Sequence, residues 1–480
     1  MKLSANSIAC GSRVIVVGGG LSGLLIADRL RRHNIDCLVL EAGPSLPRKP
    51  PAKQSRFDAA IENLLRVDEN AWRFQAVGLP YDWIRVRALG GRSLLWGGWC
   101  ARMDPQNFRD AKALGASWPI SLAELMPYYR AAEKLLGVRT GRVSVFFSQV
   151  TRKLGLDATP KLGAILPTRT RAFTGLDLPR PGRLQTNAVV LRLLANGGRI
   201  RQLEVLDTLS GNTTLLSASA VVLCASPIET TRLLLESGIR GERGQVGTGL
   251  VDHLVSTCLA ILPRPAPSRG TSGPLERCAL VPRFVNLGRR RPRDYRSGFT
   301  IEMRGPIALE EIGVSALHGL GIDHQEAQQL SYCAVNAIGE AYPHADRFVA
   351  LDTTVRDSLG RSVPVISLAW SDEQKTMASD MDEAVAAIAD ALAPPNSRVV
   401  RLRDALRPGG IAHEAAVARM AHDPADGVTD PWGAVFGVRG LYVADASVMP
   451  TALDRHPTLT LLALALRTAD RVAKDCQNGC

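Results

Sequence analysis

The feature that most constrains this chain is a glycine turn, Gly18-x-Gly20-x-x-Gly23, set between an apolar run and an amphipathic one. Arg13–Val17 reads as a buried parallel strand, Leu21–Arg32 as a helix, and Asp36–Leu40 as a second apolar strand ending at Glu41. A βαβ unit of about thirty residues is the context in which such a turn holds an adenine dinucleotide. Gly18 allows the tight bend, Gly20 lets the backbone approach a pyrophosphate, and Gly23, with Ala27 one turn on, lets the helix pack close to the strand. Leu21 and Ser22 open the helix, whose free amides face the diphosphate. Glu41 can accept hydrogen bonds from the ribose hydroxyls, and its charge disfavours the extra phosphate of NADP. In a chain with 43 glycines the pattern alone is weak, so its position between strand and helix is what gives it force. It does not separate FAD from NAD.

A length of 480 residues favours two domains over a single core. No apolar run reaches the roughly 20 residues of a bilayer span; the longest lie near Val221–Ala225 and Leu459–Leu466. The first residues, MKLSANSIACGS, lack the apolar core of an export signal, so the cytoplasm is the expected compartment. Nine cysteines without Cys-x-x-Cys spacing read as free thiols, with no metal site expected. A net charge of +12 raises nucleic acid as a partner. The basic residues are dispersed, however, and the one dense run, Arg289–Arg293, reads as an exposed loop, so no nucleic-acid partner is expected.

Beyond the first unit, residues 44–80 are loop-rich, and Trp118–Gly137 reads as two short helical pieces split by Pro127. Strands return from Val189, ending with Ala220–Cys224 and a helix Ile228–Ser237. Residues 276–370 alternate in the manner of an antiparallel sheet, and a helix Asp372–Leu392 leaves it. The end of the chain returns to α/β character, with a strand Gly440–Ala444 and a helix Leu459–Val472.

Four further segments resemble the glucose–methanol–choline (GMC) oxidoreductases, nearly from end to end. They are Gly90-Gly91-Arg92-Ser93…Trp96-Gly97-Gly98; Trp118-Pro119-Ile120…Pro127-Tyr128-Tyr129…Ala132-Glu133; and Val221–Ser226 with Glu229–Leu235 and Gly249-Leu250-Val251-Asp252-His253. The last is a C-terminal block holding His413-Glu414, Arg419-Met420, Leu441–Ser447 and His456-Pro457-Thr458-Leu459-Thr460. The motifs are most similar to the sugar and gluconate dehydrogenase and pyranose oxidase branch. The resemblance implies an α/β fold: a Rossmann-like FAD domain (residues 1–110, 183–258 and 408–480) with an inserted substrate domain (111–182 and 259–407) built on an antiparallel sheet. It extends the expected FAD-binding set from the glycine turn and Glu41 to Ala42, Arg87, Gly91, Arg92, Ser93, Trp96, Gly97, Gly98, Val189, Ala225, Asp445, Ala446, Pro457 and Thr458.

The resemblance also implies that His413 and His456 stand over the reactive edge of the flavin. Alcohol oxidation removes the hydroxyl proton and moves the carbinol hydride to flavin N5. A neutral imidazole suits the proton step, while a second holds the substrate oxygen. His413 is assigned as base and His456 as its partner, with the reverse left open. The other six histidines, His253 among them, read as surface or satisfied core. The helix that follows Pro457 aims its positive end at the flavin.

Three departures stand out. Ala416-Val417 replaces the family's Gly-Thr, Ala421 replaces a glycine, and Ser226 stands where a glycine is common. The position of the histidine that tethers FAD in some pyranose oxidases resembles Leu95, so non-covalent FAD is expected. The expected activity is oxidation of an alcohol on a sugar, polyol or natural-product intermediate, with O2 or another carrier as electron acceptor. A hydroxynitrile-type lyase, a non-catalytic FAD-binding protein and an NAD-dependent dehydrogenase are the other readings.

Overall fold

The computed structural model describes residues 14–45, 72–164, 172–263, 277–285, 293–312, 314–395, 397–403 and 405–478. Most of the expected loop at 44–80, and residues 289–292 of the basic run, lie outside these residues. Val14–Val17, Leu21–Arg32 and Cys37–Leu40 form the expected strand, helix and strand. The two strands pair in parallel, Val14 opposite Cys37 and Val17 opposite Leu40. Ala220–Leu223 and Leu441–Val443 add on one side and Arg183–Gln185 on the other, completing a five-stranded parallel sheet. Its central strands are buried along their whole length, as expected for a sheet covered on both faces.

The β-rich middle forms an antiparallel sheet. Its order is Cys278–Val285, Phe299–Ala308, Leu330–Gly339, Leu254–Pro263 and Arg398–Arg403. The strand Leu254–Pro263 runs through the division drawn from the sequence between 258 and 259. Helix Asp372–Leu392 packs on this sheet through Met377, Met381, Val385 and Ile388, one face at helical spacing. Its start is set by Ser371, whose hydroxyl accepts from the Gln374 amide in a capping box. A smaller sheet pairs Phe348–Arg356 with Ser362–Ser367, and Gln75–Val77 joins the latter in parallel.

One expectation fails at Pro127. The segment is a single helix, Leu122–Leu136, with the proline inside it. Pro127 removes one backbone hydrogen bond, but Leu125, Tyr129, Ala132 and Leu136 bury one continuous face across it. A Ser121–Glu124 capping box starts the helix and Gly137, at φ +62°, ends it. Packing and caps outweigh the missing bond.

Candidate active site

The parallel sheet and its flanking loops enclose a cavity of about 470 Å³, within the range of small-molecule sites. Gly18, Gly20, Leu21 and Ser22 line it from the first turn, Glu41 and Ala42 from the end of the second strand, and Arg87 from the segment before the Gly-Gly turn. The Gly-Gly segment contributes Gly91, Arg92, Ser93 and Trp96. Val189, Ala225, Asp445, Ala446, Pro457 and Thr458 complete the expected set at its wall, joined by His413. Gly23, Gly97, Gly98 and His456 do not line it. Gly23 serves packing instead: a Cβ there would stand 2.0 Å from the Gly18 carbonyl oxygen.

This cavity fits an adenine dinucleotide on two physical grounds. Gly20 has an ordinary backbone (φ −72°, ψ −176°), and a Cβ built on it meets no protein atom within 4 Å. Its smallness therefore leaves room on the cavity side, where a pyrophosphate needs close approach. Helices Leu21–Arg32 and Thr458–Gln477 both open onto the cavity without a side-chain cap or an acidic residue in the first turn. Their first amides are free for anionic or electron-rich groups of a ligand.

Glu41 is buried and also holds the turn: Oε2 accepts from the Gly19 amide at 2.7 Å and Oε1 from the Gly43 amide at 2.8 Å. Burial pushes its carboxyl up, against the lowering pull of these amides and of Arg87. Asp445, likewise raised by burial, accepts from the Ser447 amide at 3.0 Å and from the Thr230 hydroxyl.

Three imidazoles meet beside the cavity. His413 and His456 stand edge to face with ring centroids 5.4 Å apart. His253 approaches His413 from another side, Nδ1 to Nδ1 at 2.8 Å. The backbone sets this meeting, because Val251 and Ala415 exchange hydrogen bonds at 2.9 and 3.2 Å just beyond the two rings. Arg92 pairs with Glu414 and donates to Ser226 Oγ at 3.0 Å, tying the Gly-Gly segment to the same loop. Burial, reinforced by His253, His456 and Arg92, holds the His413 pKa well below the usual histidine range.

Two of the residues expected to replace glycines take a glycine-like path: Ala416 stands at φ +71° and Ser226 at φ +80°. Ala412, on the other side of His413, stands at φ +60°. Each such residue carries strain of about 1–3 kcal/mol, tolerated where surrounding bonds over-determine the loop. Ala421 is absent from the positive-φ residues, so its replacement demands nothing special.

Residues without a sequence motif complete the site. Glu302, in strand Phe299–Ala308, has Oε1 2.7 Å from His456 Nε2 and Oε2 2.8 Å from Lys161 Nζ. Lys161 is buried and lies 4.0 Å over the Trp99 ring. Burial alone would raise the Glu302 carboxyl, but His456 and Lys161 outweigh it and hold it below the usual carboxylate range. His456 turns its Nε2 towards this carboxylate, while His413 is the member of the pair that lines the cavity. His253, read from sequence as surface or satisfied core, is fully buried and spends one nitrogen on His413.

A dinucleotide cavity beside a histidine cluster fits a class, the redox enzymes that act on alcohols. Comparison with known proteins agrees. The GMC oxidoreductase signatures match residues 177–255 for the N-terminal part and 343–465 for the C-terminal part. An NAD(P)-binding Rossmann-like signature matches residues 16–76. The chain is 26% identical to paromamine 6′-oxidase of Streptomyces fradiae, over 96% of this chain and 91% of that protein. It is 24% identical to 2-methyl-1,2-propanediol dehydrogenase of Mycolicibacterium austroafricanum, over 96% and 95%. The crystal structure of pyridoxine 4-oxidase from Mesorbium loti shares the fold, with a TM-score of 0.67 and 21% identity over 95% of this chain and 98% of that one.

The chain belongs to the GMC oxidoreductase family and is an FAD-dependent alcohol oxidoreductase. Among its described residues, no helix is long and apolar enough to cross a membrane.

Proposed function

We propose that this enzyme oxidises an alcohol carbon on a small polar molecule such as a sugar, polyol or aminocyclitol, with His413 as the base. The observation that carries the reading is the edge-to-face His413–His456 pair, with His413 at the cavity wall. His413 takes the hydroxyl proton; its depressed pKa keeps it unprotonated at neutral pH. His456, its Nε2 turned to Glu302 and its ring edge to face with His413, helps to orient the substrate oxygen. Bound FAD supplies the hydride acceptor at flavin N5. The expected FAD-binding residues that line the cavity hold the cofactor without a covalent bond, Leu95 occupying the tethering position. O2 or another carrier then takes the electrons.

The substrate class is supported by the names of relatives, which include oxidases of aminoglycosides and a diol dehydrogenase. Segments 111–182 and 259–407 form the substrate side, a division supported by the placement of Lys161 and Glu302 within them. Free thiols at the described cysteines suit a cytoplasmic enzyme. The test is anaerobic flavin reduction against a library of sugars, aminocyclitols and aliphatic alcohols. Bleaching by a polyol or aminocyclitol supports the reading, and reduction by aliphatic alcohols alone would move the substrate class.

A further inference from the structure

Resting on the reading of His413 as the base, we propose that His253 is a positioning residue: it keeps the proton of His413 on Nδ1 and leaves Nε2 as the nitrogen that accepts the substrate proton. The assignment follows from counting protons along one chain of contacts. His253 Nε2 stands 2.9 Å from the Leu453 carbonyl oxygen and also contacts that of Ala452. Carbonyl oxygens offer only lone pairs, so this nitrogen carries a hydrogen. The opposite nitrogen, Nδ1, lies 2.8 Å from His413 Nδ1, a separation that requires one proton between them.

His253 does not supply that proton. Its ring is fully buried, and burial lowers its pKa to about 4, so it holds a single hydrogen, already committed to the carbonyls. Its Nδ1 is therefore an acceptor and His413 Nδ1 the donor. A neutral His413 with Nδ1 protonated has a bare Nε2 on the far side of its ring.

The surroundings offer no competing arrangement. Asp252 spends one oxygen on the His253 amide at 2.8 Å and the other on the Tyr81 hydroxyl at 3.0 Å. Asp454 is taken by Asn107, Thr300 and Arg455. The charged or titratable groups acting on His413 are His253, His456 and Arg92, all of which disfavour a second proton. The base is thus oriented by a neutral imidazole, which fixes its tautomer without raising its basicity as a carboxylate would.

Nitrogen-15 NMR of the FAD-loaded enzyme labelled at histidine tests the proposal, with the His413 signals assigned by their loss in His413→Gln. The expected result is a protonated Nδ1 and a bare Nε2 on His413, the pattern giving way to a mixture in His253→Leu. Anaerobic flavin reduction in His253→Leu should slow at least about ten-fold with FAD content retained. His253→Asn, whose amide oxygen can accept from Nδ1, should restore most of the rate. A wild-type His413 protonated on Nε2 overturns the proposal, as does a His253→Leu enzyme with unchanged tautomer and rate. Should His253→Leu fail to fold, the wild-type and His253→Asn spectra decide. If no alcohol reduces the flavin, the functional reading fails while the tautomer remains measurable on its own.

Discussion

Glu302 stands with one carboxylate oxygen 2.7 Å from His456 Nε2, which joins the inserted sheet to the C-terminal histidine pair. Its second oxygen, 2.8 Å from Lys161, makes the buried carboxylate the link between a buried ammonium and the partly exposed His456. Removing the charge strands an ammonium in the interior, so Glu302→Gln should cost about 3–5 kcal/mol of stability. The double variant Glu302→Gln/Lys161→Met should recover most of that loss in a denaturant titration. Its flavin-reduction rate should stay depressed, because His456 has still lost its carboxylate; recovery of both would reduce Glu302 to a structural role.

Two histidines with lowered pKa values, His253 and His413, set an acid limit. The folded-state pKa of His253 is lowered to about 4, against about 6.5 unfolded. Below pH 6.5 the unfolded chain binds a proton that the folded chain refuses, so stability is present above that pH and lost as pH falls towards 4. At about 1.4 kcal/mol per pH unit, His253 contributes a loss of roughly 3 kcal/mol across this window. His413, also lowered, adds in the same direction. Tm measured between pH 7.5 and 4 should fall less steeply in His253→Asn than in wild type; equal slopes would refute the assignment.

The Asp357 side chain has no solvent exposure and accepts from Arg232 at 2.7 Å and Arg361 at 2.9 Å, two guanidiniums at the cavity wall. Asp357→Ala strips this carboxylate from both and should cost about 3–5 kcal/mol. Equilibrium unfolding gives the magnitude, and FAD release on dilution should quicken alongside it.

Gly18 and Gly20 should separate folding from cofactor binding. A Cβ at Gly18 would stand 2.4 Å from the Cys224 carbonyl oxygen, at φ +105°, so Gly18→Ala should destabilise the deflavinated protein by about 3 kcal/mol or more. Gly20→Ala meets only open space, so it should leave apoprotein stability within about 0.5 kcal/mol. Its FAD Kd should still rise at least about ten-fold, since the methyl enters the cavity. Equal loss of stability in both variants would contradict this division.

What the sequence made legible was local. The glycine turn, its two strands and helix Asp372–Leu392 follow from spacing and end signals within one segment, and the structure matches them within a residue or so. Pro127 misled because the face that holds its helix together is visible only after packing. Glu302 and Lys161 were out of reach, since a contact spanning more than a hundred residues between an unremarkable strand and a loop leaves no pattern. His253 was within reach: it closes the Gly249–His253 segment already quoted for the family resemblance, and the fold then bridges Val251, two residues before it, to Ala415, two residues after His413. Ala416 and Ser226 were read as departures from glycine, and the positive φ that these residues adopt could only be seen in the fold.

The central claim is that His413 takes the substrate proton, and single-turnover flavin reduction in His413→Ala tests it most directly. With an alcohol that bleaches the wild-type flavin without oxygen, the variant should hold FAD at full occupancy and reduce it at least about a hundred-fold more slowly. An FAD-replete variant that bleaches at the wild-type rate would contradict the account.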